Sequence, residues 1–168
     1  MEPAKITYFE DFQIGERHAF GLYEVDRDEV IDFANRFDPQ PFHLSDKEAA
    51  KTPFGRVAAS CWHSAGMMMH MLVTFWQSIP GYQEASLGAI GVDGLRWLRP
   101  VYPGDTLSVE TEVIEKRESN SRPDMGIIKT RTTVLNQHGE SVMTMIPISM
   151  WRRRPEGAAD TPRSRERP

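Results

Sequence analysis

One segment restricts the possible folds of this chain more than any other. Residues 60–78, SCWHSAGMMMHMLVTFWQS, contain no proline and a single glycine, and they place apolar side chains on nearly every face of a helical projection. A helix of that kind is expected to be buried rather than amphipathic. The rest of the chain must therefore supply a surface that surrounds a long apolar helix.

Four β-rich segments follow this helix and can supply that surface. They are GAIGVDGLRWLRPV, DTLSVETEVIEKRES, GIIKTRTTVLN and ESVMTMIPISMWRRR. In the second segment, Val109, Thr111 and Val113 alternate with glutamates, which is typical of a sheet with one solvated face. Residues 136–139 form a turn signal between the last two segments, so these are predicted to form a long hairpin.

Before the apolar helix, the chain is predicted to form a strand and two shorter helices. The strand covers residues 16–25, and Asp26 with Glu29 is a capping-box pattern for a helix that must end before Pro39. The residues DPQPFH are expected to form a loop, and Ser45 with Glu48 repeats the capping pattern ahead of the second helix.

The resulting order of elements is strand, helices, long apolar helix and four strands. A sheet can bury such a helix only by curling around it, so the sequence predicts an α+β fold with a curved antiparallel sheet and a central helix.

Composition limits the size of the fold and the classes of function. A chain of 168 residues is expected to form one core, here assigned to residues 1–154. Residues 155–168 are rich in Arg and Pro and are predicted to be a disordered basic tail. The net charge of -4 argues against nucleic acid as the main partner. No membrane span or signal peptide is predicted, and Cys61, the only cysteine, suits a reducing cytoplasm.

The stretch from Asp38 to His43 carries the clearest chemical signal. Two prolines flank Gln40 and stiffen the backbone, so the carboxyl and imidazole groups are held in a fixed relation. Such a pair can bind a water molecule and transfer protons in both directions. The alternative is structural: Asp38 ends a helix, and His43 is an ordinary loop histidine.

Three segments, in order along the chain, resemble the MaoC-like dehydratases and R-specific enoyl-CoA hydratases. They are IDFANRFDPQPFHLSDKEAA, GRVAASCWHSAGMMMHM and LRWLRPVYPGDTLSVETEV. The resemblance covers about residues 8–150 and implies a hot dog fold, in which a curved sheet wraps around a long helix. The family commonly has Asn where this chain has Gln40, and Gly where it has Cys61.

The resemblance also implies an activity and a set of site residues. It implies a hydro-lyase of fatty acid metabolism that hydrates an enoyl thioester or dehydrates a 3-hydroxyacyl thioester, with coenzyme A as part of the substrate and no metal or other cofactor. Asp38 and His43 match the catalytic pair, and the backbone N–H of Cys61 matches the group that binds the thioester oxygen. The expected substrate-binding residues are Gln40, Phe42, Ser60 and Trp62. The family is usually dimeric or larger, so a homodimer is expected.

Several alternatives remain open. The same fold could bind acyl-CoA or lipid without turnover, or could hydrolyse the thioester. Cys61 could be a nucleophile, although His63 is poorly spaced to activate it. His63 and His70 lie about 10 Å apart along a helix, too far for one metal without other ligands. Arg96 or Arg99 could approach the phosphates of coenzyme A. An acyl tunnel could be lined by four methionines and three aromatic residues of the long helix: Met67, Met68, Met69, Met71, Trp62, Phe75 and Trp76.

Overall fold

A computed structural model describes residues 7–157 of the chain. After a short 3₁₀ turn at Phe9–Asp11, the elements are β1 (Arg17–Glu24), α1 (Arg27–Phe37), α2 (Pro41–Leu44), α3 (Asp46–Ala49), α4 (Cys61–Gln77), α5 (Tyr82–Ala85), β2 (Ser86–Trp97), β3 (Thr106–Glu118), β4 (Met125–Leu135) and β5 (Ser141–Arg152). All strand pairs are antiparallel, in the order β1-β3-β4-β5-β2.

The curved sheet packs around α4 and confirms the predicted α+β fold of hot dog type. The α4 residues Met67, Met68 and Met71 are buried against inward-facing residues of the sheet such as Leu107 and Val109. On β3 the apolar residues alternate with glutamates on the outer face, as predicted. The β4–β5 hairpin also forms, and its turn is closed by a hydrogen bond from the backbone N–H of Asn136 to the carbonyl of Glu140, while the Glu140 N–H donates to Oδ1 of Asn136.

A glycine in β1 allows the helix to approach the sheet closely. Gly21 has a φ of 82° and lies where the β1–β3 pairing shifts register between Phe20 and Tyr23. A Cβ at this position would lie only 2.7 Å from Sδ of Met71. Because L-residues also disfavour positive φ, Gly21 serves both the bulge and the packing of α4.

The helix α1 begins as predicted, but its capping box is only half formed. Asp26 accepts hydrogen bonds from the backbone N–H groups of Asp28 and Glu29. The side chain of Glu29 does not return to Asp26; it accepts a hydrogen bond of 2.7 Å from the hydroxyl of Tyr23. The cap therefore satisfies the start of α1, while Glu29 ties the helix to β1.

Two predictions for the following segment were wrong. DPQPFH was expected to be a loop, but Pro41–Leu44 forms the short helix α2, with Pro41 at its first position, where the missing N–H costs nothing. The predicted capping box of Ser45 and Glu48 is absent, because the Ser45 side chain makes no capping hydrogen bond and Glu48 pairs with Lys51.

The expectation that α4 is buried on all faces was also wrong for the single chain. Trp62 is 62% exposed and Met69 is 47% exposed, and they lie on the face of α4 turned away from the core. The edge strand β2 likewise exposes Ile90 and Val92. Within residues 7–157, no helix has the length and apolar character needed to cross a membrane. The basic tail predicted for residues 155–168 lies, from residue 158 onward, outside the described residues.

Candidate active site

The structure brings Asp38 and His43 together beside the start of α4. Asp38 is the C-cap of α1, and His43 lies on α2. Nε2 of His43 is 3.4 Å from Oδ2 of Asp38, and the two side chains are only 5% and 19% exposed. The turn through Pro39 and Gln40 thus folds the chain back so that an acid and an imidazole face each other.

A backbone carbonyl fixes the orientation of the His43 ring. Nδ1 lies 2.7 Å from the carbonyl oxygen of Ala58. Because a carbonyl oxygen can only accept, Nδ1 carries the hydrogen, and in the neutral ring Nε2 is an unprotonated acceptor. Phe42 and Phe54 pack around the imidazole, with ring centroids 4.6 and 6.0 Å away. The ring is therefore held in place with its basic nitrogen turned toward Asp38.

The Asp38 carboxylate is held in its ionised form by its neighbours. Partial burial alone would raise the pKa of Asp38, but hydrogen bonds from the Ser60 hydroxyl and the Gln40 amide, with His43 beside it, lower the pKa below its ordinary value. The Gln40 bond joins Nε2 to Oδ1 at 2.7 Å. Gln40 and Ser60 thus orient the carboxylate, and Oδ2 is left to face His43.

The same serine is the N-cap of α4. Ser60 is fully buried, and its Oγ accepts a hydrogen bond from the backbone N–H of Trp62 at 3.3 Å. Cys61 is the first residue of the helix, and its thiol lies close enough to Asp38 to feel the carboxylate charge. The unpaired N–H groups and the positive end of the helix dipole are therefore located beside the Asp38–His43 pair.

The surroundings of Cys61 disfavour a thiolate. The residue is exposed at the surface of the single chain, yet nearby protein atoms desolvate the sulfur and raise the pKa of the thiol, and Asp38 raises it further. His63 is turned away, with its ring stacked on Phe33 at a centroid distance of 4.6 Å. The raised pKa keeps the Cys61 thiol protonated, which disfavours its activation as a nucleophile.

The other histidines of α4 also have packing roles. His63 is buried, and burial lowers its pKa, an effect that the Glu29 carboxylate partly offsets. His70 contacts the ring of Tyr23 edge-on. Within residues 7–157, no group of three or more His, Cys, Asp or Glu side chains is arranged to hold a metal ion.

An apolar groove of about 230 Å³ runs between the later turns of α4 and strands β2, β4 and β5. Met69, Leu72 and Trp76 line it from the helix, and Val92 lines it from β2. Met67, Met68 and Met71 are core residues instead, and Phe75 stacks on Phe20. Of the methionines that could line an acyl tunnel, only Met69 reaches this groove.

A second, smaller cavity of about 190 Å³ begins at Cys61. Its walls include Phe54, Ser64 and residues 97–101, and Trp62 contacts Trp97 at its edge, with ring centroids 5.2 Å apart. Sequence reasoning did not find Phe54, Ala58 or Trp97. Ala58 acts through its backbone, and the two aromatic residues have no local pattern that separates them from core residues.

Together, the fold and this arrangement define a hot dog protein with an Asp–His pair at the N-terminal end of its central helix. A family model described as the MaoC like domain matches residues 11–135. The chain belongs to this family of MaoC-like dehydratases.

Named relatives agree with this membership. The chain is 30% identical over 151 residues to a mesaconyl-CoA hydratase of Cereibacter sphaeroides, covering 90% of this chain but 43% of that protein. It is 34% identical over 113 residues to a 3-hydroxybutyryl-CoA dehydratase of Methylorubrum extorquens, covering 66% of each. The crystal structure of a MaoC-like dehydratase from Rhodospirillum rubrum superposes with a TM-score of 0.78 at 38% identity, covering 89% of this chain and 99% of that one.

Proposed function

We propose that this protein is a hydro-lyase that adds water to the double bond of an enoyl-CoA and removes it from a 3-hydroxyacyl-CoA, with Asp38 and His43 as the catalytic pair. The observation that carries the proposal is the 3.4 Å approach of His43 Nε2 to Asp38 Oδ2 beside the N-terminus of α4. The two named relatives, a hydratase and a dehydratase of CoA thioesters, support the same reaction class.

The geometry suits one bound water molecule. Neutral Nε2 and the ionised Asp38 carboxylate are both acceptors, so a water molecule can donate one hydrogen to each and keep a lone pair free for attack. During hydration the water oxygen bonds to carbon 3 of the enoyl group and gives up a proton to the pair. The pair delivers a proton to carbon 2, so it ends the turnover in its starting state, and dehydration reverses these steps.

The start of α4 supplies the other requirement of the reaction. Addition of water at carbon 3 moves negative charge onto the thioester oxygen. A backbone N–H at a helix N-terminus stabilises such an oxygen, and in this proposal the N–H of Cys61 does so. The Cys61 side chain occupies space beside that oxygen and narrows the choice of acyl group. Phe42 and Trp62 border the same region, and neither a metal nor a redox cofactor takes part.

The apolar groove along α4 offers a path for the acyl chain. Met69 lies eight residues after Cys61, which is about 12 Å along a helix. A short acyl group bound at Cys61 would therefore not reach Met69, whereas a longer chain would extend into the groove. The panel of substrates described below distinguishes these cases by chain length.

The functional unit is proposed to be a homodimer in a reducing cytoplasm. Trp62 and Met69 on α4 and Ile90 and Val92 on β2 are large apolar residues left exposed in the single chain. The strand β2 is also an edge of the sheet and has only β5 as a neighbour within the described residues. A second copy related by a two-fold axis would cover both features.

The proposal is tested by incubating the protein with a panel of trans-2-enoyl-CoAs from four carbons upward. Loss of the enoyl-thioester absorbance without release of free thiol is the expected result, with the 3-hydroxyacyl-CoA identified as product. Release of free coenzyme A would instead indicate a thioesterase. Tight binding without turnover across the panel would indicate an acyl-CoA-binding protein, and either result would overturn the proposal.

A further inference from the structure

The cavity beside Cys61 has a mainly apolar wall and one charged residue. Phe54, Ala59, Pro100 and Val101 form much of the wall, and Arg99 is the only charged side chain that lines it. Since Cys61 also lines this cavity, a molecule that fills it extends from the proposed thioester position toward Arg99. The wall is suited to an uncharged, flexible arm rather than to a highly charged group.

Arg99 is held only loosely by its neighbours. One Nη1 hydrogen bond of 3.0 Å goes to the carbonyl of Ser141, and Nε lies 3.5 Å from Oε1 of Glu140. Both charged side chains are about half exposed, so this ion pair is weak in water. A guanidinium has five N–H donors, and most of those on Arg99 remain available to an anion.

Arg56 provides a second positive charge near the same cavity. Its guanidinium stacks on the ring of Tyr102, 4.3 Å from the centroid, and Tyr102 donates a hydrogen bond of 2.8 Å to the carbonyl of Phe54. Arg56 forms no ion pair with any carboxylate of residues 7–157. The pKa of Asp46 is lowered mainly by a hydrogen bond from the Val57 backbone, and the charge of Arg56 adds to this effect. The stacking orders the guanidinium without using its hydrogen-bond donors.

We propose that this cavity holds the pantetheine arm of coenzyme A and that Arg56 and Arg99 bind the phosphates at the far end of that arm. The inference rests on the proposed function, because it assumes a thioester carbonyl at Cys61. The arm is uncharged and separates the thioester from the phosphates, which matches a mainly apolar cavity with one guanidinium in its wall and a second stacked on Tyr102. Arginine is well suited to this task, since its planar donors match phosphate oxygens.

Arg96 does not belong to this site and provides a matched control. It precedes Trp97 on β2, and neighbouring strand residues point to opposite faces. Trp97 packs against the core, so Arg96 points outward, where its Nη1 donates a hydrogen bond to the carbonyl of Leu95. Substitution of Arg96 removes a guanidinium three residues before Arg99, from a residue that does not line the cavity.

The test compares two substrates with the same acyl group, crotonyl-CoA and crotonyl-pantetheine, which lacks all phosphates. In Arg56→Ala and Arg99→Ala, KM for crotonyl-CoA should rise about tenfold, because each variant loses charge-assisted hydrogen bonds. The kcat should stay within about twofold, since neither residue contacts the reacting carbons. KM for crotonyl-pantetheine should not change, and Arg96→Ala should resemble the wild type with both substrates.

An equal rise of KM for both substrates would mean that the arginines support the scaffold, and an unchanged KM for crotonyl-CoA in the double variant would mean that the phosphates bind elsewhere. Either result overturns the inference. Isothermal titration calorimetry with free coenzyme A, on the wild type and on the double variant, tests phosphate binding by the two arginines without requiring turnover. A protein that binds coenzyme A through these arginines but hydrates nothing would contradict the proposed function alone.

Discussion

His43 and Asp38 face each other through two atoms that both accept hydrogen bonds. The hydrogen on His43 Nδ1 is committed to the carbonyl of Ala58, so Nε2 of the neutral ring has none to offer the carboxylate 3.4 Å away. While the ring is neutral, the two groups are bridged only by a donor that lies beside both of them, such as water or a substrate hydroxyl. When the ring is protonated, Nε2 can donate to the carboxylate directly, so the two groups form an ion pair in one protonation state and two acceptors in the other.

Removal of either member of this pair should abolish most of the activity while the fold is retained. We expect Asp38→Asn and His43→Gln each to lower kcat for enoyl-CoA hydration by about 100-fold or more, because each loses one proton acceptor. Asp32→Asn, on the exposed face of α1, is the control and should retain full activity. Wild-type rates in the folded Asp38 and His43 variants would rule out the catalytic role.

Gln40, after Ser60, should contribute to the lowered pKa of Asp38. The variant Gln40→Leu loses the 2.7 Å hydrogen bond to Oδ1, so the pKa of Asp38 should rise toward its ordinary value. In the wild type the lowered pKa stabilises the fold above the unfolded-state pKa of Asp, and this contribution is lost as the pH falls through the folded-state pKa. The stability difference between Gln40→Leu and wild type should therefore shrink at low pH.

Carboxyl ¹³C titration by NMR measures this effect directly. The Asp38 resonance should titrate at higher pH in Gln40→Leu than in the wild type. Gln77→Leu, at the exposed end of α4, removes an amide far from Asp38 and should leave the titration unchanged. If the Asp38 resonance titrates identically in the wild type and Gln40→Leu, the hydrogen bond does not set its pKa.

The pattern of apolar residues predicted most of the fold because burial determines periodicity. The α4 sequence required a surrounding sheet, and the alternation along β3 identified its inner face. The failed predictions concern polar contacts that depend on distant residues. Glu29 bonds to Tyr23 rather than to its own helix cap because β1 places a hydroxyl beside it, and no local pattern contains that information.

The candidate site was predictable to the extent that it is local in sequence. Asp38, Gln40 and His43 lie within six residues, and the two prolines indicate a fixed geometry. The carbonyl of Ala58 could not be predicted, because every residue has a carbonyl group and only the fold selects one. Arg56 was missed for a related reason, because its position depends on contact with Tyr102, which lies 46 residues later in the chain.

Gly126 should tolerate no side chain while Phe9 is present. A Cβ at Gly126 would overlap the ring of Phe9, which is buried against β4. Gly126→Ala should lower the free energy of unfolding by about 1–3 kcal/mol, the usual cost of overpacking. In a Phe9→Val background the added methyl group should cost much less. Urea denaturation of the wild type, the two single variants and the double variant gives the four free energies of unfolding that measure this coupling. Strictly additive effects would show that the two residues do not compete for space.

If the proposed dimer forms through α4 and β2, a charge introduced on β2 should break it, whereas a charge introduced on β1, at the opposite edge of the sheet, should not. Val92 on β2 lies beside the groove that Met69 borders, whereas Leu22 lies on β1 at the other edge. Val92 and Leu22 are 48% and 78% exposed, so neither supports the core of the single chain. Val92→Asp should convert the dimer to a monomer, because two copies of the charge would face each other across a two-fold axis.

Leu22→Asp, in contrast, should remain dimeric. Light scattering coupled to size-exclusion chromatography reports the mass of each species, and circular dichroism confirms that both variants are folded. Dissociation by Leu22→Asp but not by Val92→Asp would place the interface on β1 and contradict the proposed arrangement. A monomeric wild type would show that the exposed α4–β2 face is not covered by a second copy, and its apolar residues would then require a different explanation.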